Sequence, residues 1–205
     1  MTTSSDIKLP IVADESIMAP KAHGTSLTPV QANLRWNCKN EIADRYVGTS
    51  LACVLCHFWH ICVCAFSHTR VYNSFIVIFA NRICNFNRHY AEHSGYFTET
   101  TFVKDSKTDL ERDEEIKFYD SNSGKLLFTA PRGRTWDQFI QESKAHGWPS
   151  FRDEEVNWEY VRCLKNGESV SVDGTHLGHN LPDRKGNRYC INLVSVAGRP
   201  TDSEN

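Results

Sequence analysis

From residue 116 onward, apolar and polar positions alternate in short runs separated by Gly, Asn, Asp and Ser, a pattern typical of β-strands. Two runs, at residues 116–120 and 125–130, enclose a short polar turn at 121–124 and predict a β-hairpin. Further runs of this kind predict three more strands, at residues 157–164, 168–174 and 188–198. The expected fold class is therefore α+β and mainly β, a small antiparallel sheet with a few helices.

One segment of this part instead spaces its apolar residues three to four positions apart, as a helix does. A short helix is predicted between Thr135, a residue type that favours the N-cap, and Gly147, a residue type that favours helix ends. Trp136, Phe139 and Ile140 then share its inward face.

The N-terminal part of the chain lacks this regular pattern. Its first residues are rich in Ser, Thr, Pro and Ala and predict a mobile tail. A helix is predicted at 28–45, where Thr28 suits the N-cap. Residues 105–115 are acidic and polar, and we expect a solvated connector there. The predicted organisation is thus a tail, a helical extension and a folded domain, at residues 1–27, 28–115 and 116–200.

Residues 46–82 interrupt the extension with an atypical apolar stretch that contains no Asp, Glu or Lys. Its longest apolar run, at 51–66, is shorter than the ~20 residues that a membrane-spanning helix needs, and Arg70 interrupts the continuation of the run. Its apolar positions match neither the helical nor the strand period. We interpret the stretch as an insertion, such as a retained intron, that is dispensable for function. A genuine structural element and a membrane anchor remain the alternatives.

The charge balance, 23 Lys and Arg against 25 Asp and Glu, argues against a nucleic-acid partner, which usually requires a strongly basic surface. Four of the eight cysteines lie between residues 53 and 64, unlike the dispersed cysteines of a secreted disulfide-bonded protein. The N-terminal residues lack the apolar core of a signal peptide. We therefore expect a reducing compartment, the cytoplasm first and an organelle second, in which the thiols are free, metal-bound or catalytic.

Residues with catalytic chemistry concentrate in two short segments, GTHLGHN at 174–180 and GNRYCIN at 186–192. A cysteine nucleophile needs a lowered pKa, which a nearby arginine or protonated histidine provides. In an extended strand Arg188, Cys190 and Asn192 lie on one face, so a cation and an amide would flank the sulfur. Alternatively, Cys190 is an ordinary buried strand cysteine, and spacing alone does not separate the two interpretations.

Three motifs of this part, GWPSF at 147–151, HLGHNLPD at 176–183 and RYCINLVS at 188–195, resemble those of the methionine sulfoxide reductase B family in order and spacing. The resemblance covers about residues 114–200. It implies the small antiparallel β fold of that family and the activity of a peptide-methionine (R)-S-oxide reductase. This reaction returns methionine-R-sulfoxide in proteins to methionine through a cysteine sulfenic acid.

The resemblance assigns a catalytic set. It makes Cys190 the nucleophile, and one of the paired histidines, His176 or His179, protonates the sulfoxide oxygen. Asn192 orients the substrate region, and Arg188 is the cation beside the thiolate. This set agrees with the chemistry expected from the residue types alone.

The resemblance also assigns a substrate pocket and partners. Trp148 matches the tryptophan whose face receives the methyl group of the substrate, and Phe151 is the second expected substrate-binding residue. The implied partners are oxidised proteins and thioredoxin as the reductant, with neither nucleic acid nor a membrane expected. The alternatives are a catalytically inactive binding domain of the same fold and a membrane-tethered form.

The chain departs from the family at its zinc-binding cysteines. The two C-x-x-C pairs that bind structural zinc in many members would fall at Asp120 and Ser123 and near Val170 and Asp173. Because none of these is a cysteine, we expect no structural zinc and no other cofactor. The cysteine spacings within residues 53–64 match no zinc module, so no metal site is predicted there.

The chain also departs from the family at the resolving cysteine, whose position just before the GWP motif is occupied by His146. Cys163 and Cys84 are the candidate replacements, with Cys38 as a third. Alternatively, thioredoxin reduces the sulfenic acid on Cys190 directly.

Overall fold

The computed structural model describes residues 9–14, 16–17, 34–36, 38, 80–86 and 91–200. In chain order, its elements are a π-helical turn (Arg82–Phe86), helices α1 (Tyr96–Glu99) and α2 (Phe102–Asp113), strands β1 (Ile116–Tyr119) and β2 (Leu126–Ala130), helix α3 (Trp136–His146), strand β3 (Ser150–Phe151), a 3₁₀ turn (Asp153–Glu155), strands β4 (Val161–Cys163), β5 (Glu168–Ser171), β6 (His176–Asn180) and β7 (Tyr189–Ile191), and helix α4 (Leu193–Val196).

The strands of the described ranges form two antiparallel sheets. Strands β1 and β2 form the predicted hairpin, in which Phe118 lies opposite Phe128. The other five strands pair in the order β3-β7-β6-β5-β4, and every neighbouring pair is antiparallel. The expected fold class, α+β and mainly β with a few helices, is therefore confirmed. Strand β6 was not predicted, because His and Gly interrupt the apolar alternation in this segment.

Helix α3 has the ends that its sequence predicts. The Gln138 backbone N–H donates to Thr135 Oγ1 at 3.2 Å, and the Thr135 N–H donates to Gln138 Oε1 at 2.9 Å. This reciprocal pair satisfies two backbone donors at the helix start. Gly147 ends the helix with a φ of 89°, a left-handed conformation that glycine adopts at little cost. The helix end then directs the chain into β3.

An aromatic cluster fills the core between the hairpin, α3 and β3. The ring of Phe151 stacks on that of Phe128 with centroids 4.3 Å apart, and Phe118 packs edge-on against Phe151 at 4.9 Å. Trp36, far upstream in the chain, contacts the rings of Phe102 and Phe118. Burial of each such side chain contributes about 1.5–3 kcal/mol, so this cluster anchors the edge of the larger sheet.

The segment 105–115, predicted to be a solvated connector, is largely exposed but is mostly helical. Helix α2 covers most of that segment, and its first residue, Phe102, is fully buried. Val103 and Leu110 of the same helix also pack against the core, so a few apolar anchors fix a helix whose remaining positions are mostly polar. The helix predicted at 28–45 is also not continuous, since residues 34–36 form a bend and turn with Trp36 at a φ of 57°. The other positions of that helix, apart from residue 38, lie outside the described residues.

The predicted strand at 188–198 is wrong in its second half. Strand β7 ends at Ile191, and α4 begins at Leu193. The carboxyl group of Glu92 accepts hydrogen bonds from the backbone N–H groups of Leu193 and Val194. These are donors at the start of α4, where a helix leaves its first N–H groups without internal partners. The contact with Glu92, a residue of the N-terminal extension, thus favours helix α4 over a continuation of strand β7.

Within the segment predicted as a mobile tail at 1–27, residues 11–13 pair with a strand of the larger sheet. The Ala13 N–H donates to the Cys163 carbonyl at 2.8 Å, and the Cys163 N–H donates to the Ile11 carbonyl at 2.9 Å. Val12 forms a parallel bridge with Cys163. This short segment pairs with β4, at the edge of the five-stranded sheet, and satisfies backbone groups there that water would otherwise have to satisfy.

The apolar insertion predicted at 46–82 lies outside the described residues except for 80–82. Directly after it, Ile83 and Cys84 are fully buried in the core. Within the described ranges, no helix combines the length and the apolar character that crossing a membrane requires.

Candidate active site

Four side chains form a row across the five-stranded sheet. Ser150 of β3 pairs with Cys190 of β7, Cys190 pairs with His179 of β6, and His179 pairs with Glu168 of β5. Directly paired residues on antiparallel strands project to the same face of a sheet. The strand register therefore brings a thiol, a hydroxyl, an imidazole and a carboxylate together from distant parts of the sequence.

The thiol of Cys190 is in contact with a cation. Arg188 Nη1 donates to Cys190 Sγ at 2.6 Å, and Ser150 Oγ lies 3.7 Å from the same sulfur. Asp183 Oδ2 lies 3.3 Å from Arg188 Nε, on the other side of the guanidinium. The expected alternation of Arg188 and Cys190 on one face is observed. The guanidinium thus places a positive charge directly beside the sulfur.

The two histidines are adjacent but have different partners. His176 Nδ1 and Glu168 Oε1 lie 2.7 Å apart, and both side chains are buried. A register shift between Ser169 and Val170 of β5 accompanies this pairing. The centroids of the His176 and His179 rings are 5.6 Å apart in an edge-to-face arrangement. The carboxylate orients the His176 ring, a role carboxylates commonly have beside a functional imidazole.

Burial lowers the pKa of His179 below its ordinary value, and the neighbouring His176 lowers it further, while Glu168 opposes the shift. His179 is therefore predominantly neutral at pH 7. The pair thus combines two different imidazoles. The His176 ring is held by the Glu168 carboxylate, and the His179 ring lies opposite Cys190 on the neighbouring strand.

The expected substrate-binding residues lie in different environments. Trp148 is half-buried, and its Nε1–H donates to the Glu92 carbonyl at 3.2 Å. Phe151 differs from the expectation, since its side chain is 0% exposed within the aromatic core. It comes directly after Ser150 on β3 and therefore points to the opposite face from Cys190. Phe151 therefore packs in the core on the opposite face of the sheet from Cys190 and does not line the surface of the site.

Asn192 also differs from the expectation, because it lies after the end of β7 and is buried. Its Nδ2 donates to the Leu177 carbonyl at 3.1 Å, and its Oδ1 accepts from the Glu92 N–H at 3.1 Å. The amide therefore ties β7 to β6 and to the N-terminal extension. Glu92 itself is a residue that the motifs did not indicate. Its buried position between Trp148 and Asn192, two of the expected site residues, is not visible in the local sequence.

Ion pairs surround the site on the side of Asp183. Arg152 binds both Asp183 and Glu142, and Arg134 binds Glu142. The Arg152 guanidinium holds the pKa of Asp183 well below its usual range, so Asp183 stays charged beside Arg188. A cavity of about 690 Å³ adjoins this network, and its lining includes Arg134, Arg152 and Glu142.

The candidate resolving cysteines do not contact Cys190. Cys163 lies on β4, three strands from β7, which corresponds to roughly 14 Å at the usual strand spacing. Cys84 Sγ contacts Ser195 Oγ on α4 at 3.5 Å. No disulfide joins any of the four described cysteines to another. Because a disulfide needs Cα atoms within about 7 Å, a bond between Cys163 and Cys190 requires a rearrangement of the backbone.

Two of the positions expected for zinc-binding cysteines, Asp120 and Asp173, each have a polar partner of another kind. Asp120 is buried and accepts hydrogen bonds from Thr175 Oγ1 at 2.9 and 3.0 Å. Lys125 Nζ and Asp173 Oδ1 lie 3.0 Å apart. Over residues 80–86 and 91–200 and the shorter described segments, no three His, Cys, Asp or Glu side chains are grouped to hold a metal ion. The cysteines between 53 and 64 lie outside the described residues.

Comparison with known proteins finds no matching family model, no matching curated protein and no matching solved structure. No relative therefore indicates a function, and the chemistry of the site has to be inferred from its geometry. A thiol contacts a guanidinium, and an imidazole pair with a buried carboxylate lies on the adjacent strands. This arrangement suits a nucleophilic cysteine with a proton donor beside it.

Proposed function

We propose that this protein reduces methionine-R-sulfoxide in oxidised proteins to methionine. The observation that carries the proposal is the contact between Arg188 and Cys190 in the row that also contains His179. A guanidinium 2.6 Å from the sulfur supplies a positive charge beside the atom that would attack an electrophilic sulfur. The motif resemblance supplies the substrate, since the geometry itself supports only a cysteine nucleophile with an acid nearby.

The proposed step transfers one oxygen atom between two sulfur atoms. The Cys190 thiolate attacks the sulfoxide sulfur while a histidine of the pair delivers a proton to the sulfoxide oxygen. The oxygen ends on Cys190 as a sulfenic acid, and methionine leaves reduced by two electrons. The balance is one thiol and one sulfoxide giving one sulfenic acid and one thioether. We assign the proton to His176, because its Nδ1 is held by Glu168 while its Nε2 is left to act as donor.

The second half-reaction needs two electrons from an external dithiol. One thiol of reduced thioredoxin attacks the sulfenic acid and releases water, and its second thiol then breaks the mixed disulfide. Direct attack is favoured because Cys190 is half-exposed, whereas Cys84 and Cys163 are buried. A dithiol protein that reaches the surface of the sheet thus completes the cycle without an internal resolving cysteine.

The test is turnover of a peptide containing racemic methionine sulfoxide, with thioredoxin, its reductase and NADPH. We expect the R epimer to disappear and the S epimer to persist, as resolved by chromatography. Cys190→Ser abolishes turnover, because a hydroxyl is not ionised at neutral pH. Consumption of neither epimer by the wild-type protein, or substantial activity in Cys190→Ser, contradicts the proposal. Binding of the peptide without turnover would instead indicate a binding domain.

A further inference from the structure

Glu92 is a buried carboxylic acid outside the expected catalytic set. Its side chain is 2% exposed, and burial raises its pKa to about 8, although two backbone N–H groups oppose the shift. Those two groups are its partners. The Leu193 N–H donates to Oε2 at 2.9 Å and the Val194 N–H donates to Oε1 at 2.6 Å. The side chain thus joins the N-terminal extension to α4, directly after the nucleophile strand.

The backbone of the same residue contacts two residues of the expected site. The Glu92 N–H donates to Asn192 Oδ1 at 3.1 Å, and the Glu92 carbonyl accepts from Trp148 Nε1 at 3.2 Å. Trp148 and Asn192 are 44 positions apart in the sequence, and Glu92 lies between them in space. One residue therefore holds both the indole and the amide that the motif resemblance assigns to the substrate region, the indole half-buried and the amide buried.

We propose that Glu92 is a positioning residue that sets the geometry of the substrate pocket through Trp148 and Asn192. The Glu92 carboxyl group holds the chain around Glu92 against the start of α4. The backbone N–H and carbonyl of Glu92 therefore stay aligned with the Asn192 amide and the Trp148 indole. Two backbone donors need two oxygen acceptors, and only a carboxyl group of this length provides both. This inference rests on the proposed function for the roles of Trp148 and Asn192, whereas the contacts themselves are independent of it.

The test compares Glu92→Gln and Glu92→Ala with Glu99→Gln in the full chain. Glu99 is a matched control, because it lies on the neighbouring helix α1, is exposed and pairs only with His93 in the described contacts. Glutamine retains one oxygen acceptor of the two, and alanine retains none. We expect kcat/KM for the R-sulfoxide peptide to fall about tenfold in the first and about 100-fold in the second, since a displacement near 1 Å has effects of that size. Glu99→Gln stays at the wild-type value.

Two further measurements separate positioning from a general loss of structure. The first is the ¹⁵N–¹H signal of the Trp148 indole, assigned with Trp148→Phe, which we expect to shift and to exchange faster with water in both Glu92 variants. The second is alkylation by iodoacetamide, mapped by mass spectrometry. We expect the rate at Cys190 to stay within about twofold, because the described contacts of its neighbours Arg188 and Ser150 do not include Glu92.

Each outcome decides the inference. A lower kcat/KM with a displaced indole signal and unchanged Cys190 alkylation supports it. An unchanged indole signal, or unchanged kcat/KM in an active protein, overturns it. Rapid alkylation of the buried Cys38, Cys84 and Cys163 in both Glu92 variants also overturns it, since Glu92 would then maintain the whole fold. If the wild-type protein reduces neither epimer, the proposed function fails, and the indole signal still decides whether Glu92 holds Trp148.

Discussion

Gly178→Ala tests whether the close approach of β6 and β7 sets the active-site geometry. Gly178 lies between His176 and His179, and a Cβ atom added there would be 2.0 Å from the Cys190 carbonyl oxygen and 2.9 Å from the Ile191 Cα. Real Cβ contacts essentially never fall below 3.0 Å. The two strands must therefore separate by about 1 Å, and the atoms that move are backbone atoms of Cys190, the proposed nucleophile.

The magnitude is set by this displacement. Moving Cys190 by about 1 Å relative to the histidines should lower kcat/KM for the R-sulfoxide peptide about 100-fold. Overpacking of this kind costs about 1–3 kcal/mol in stability, which corresponds to about 2–4 °C in Tm per kcal/mol for a chain of this size. The variant should thus remain folded at 25 °C while losing most of its activity.

Gly133→Ala is the matched control. Gly133 has a φ of 66° and no atom within 4 Å of an added Cβ. This change costs about 1–2 kcal/mol, because an L-residue in the left-handed region is strained, but it displaces no strand. Both variants should therefore have similar Tm values, whereas only Gly178→Ala loses activity. Wild-type kcat/KM in Gly178→Ala, or equal losses of activity in the two variants, would refute the reasoning.

Three further predictions concern the other cysteines, the buried carboxyl group and the apolar insertion. Cys84→Ser and Cys163→Ser should keep thioredoxin-dependent turnover within about twofold, because Cys163 lies three strands from Cys190 and Cys84 is buried against Ser195; a loss of turnover that leaves a single stoichiometric reduction event would identify a resolving cysteine instead. Raising the pH from about 4.5 to 8 should lower the free energy of unfolding in urea, since burial raises the pKa of Glu92 from 4.5 to about 8 and the folded state then holds a proton that the unfolded chain releases. This pH dependence should be weaker in Glu92→Gln, and identical slopes in the two proteins would contradict the burial argument. If residues 46–82 are an insertion, as their sequence indicates, deleting them should raise the soluble yield and leave kcat/KM within a few-fold, because an exposed apolar insertion promotes aggregation; unfolding of the shortened chain would show that the segment is structural, the result that the buried Ala80 favours.

Features that depend on a few neighbouring residues were predictable from the sequence. The hairpin β1–β2 results from alternation around a polar turn, and both ends of α3 result from the residue types at Thr135 and Gly147. The position of Arg188 beside Cys190 results from the two-residue period of a strand. In each case the interaction spans a handful of residues, so the local pattern contains the whole physical cause.

Predictions failed where a distant partner outweighs the local pattern. Helix α2 depends on the burial of Phe102 among aromatic residues that come later in the chain, and α4 depends on a carboxylate about 100 positions upstream. The segment Ile11–Ala13 pairs with β4, although its composition predicts a tail. A local pattern carries no information about such partners, because the free energy that decides the structure comes from contacts between segments far apart in sequence.

The sequence by itself determined the fold class and singled out Cys190, Arg188 and the two histidines, since strand periodicity and residue type are local properties; Ser150, Glu168 and Glu92 emerged only from the structure. Only the tertiary structure decided how those residues combine. The row from Ser150 to Glu168 exists because of the register of four strands, and the burial of Phe151 results from the face on which β3 presents it. The role of Glu92 depends on contacts with residues 56 to 102 positions away. Strand register and burial are properties of the whole packed chain, and no short segment specifies them alone.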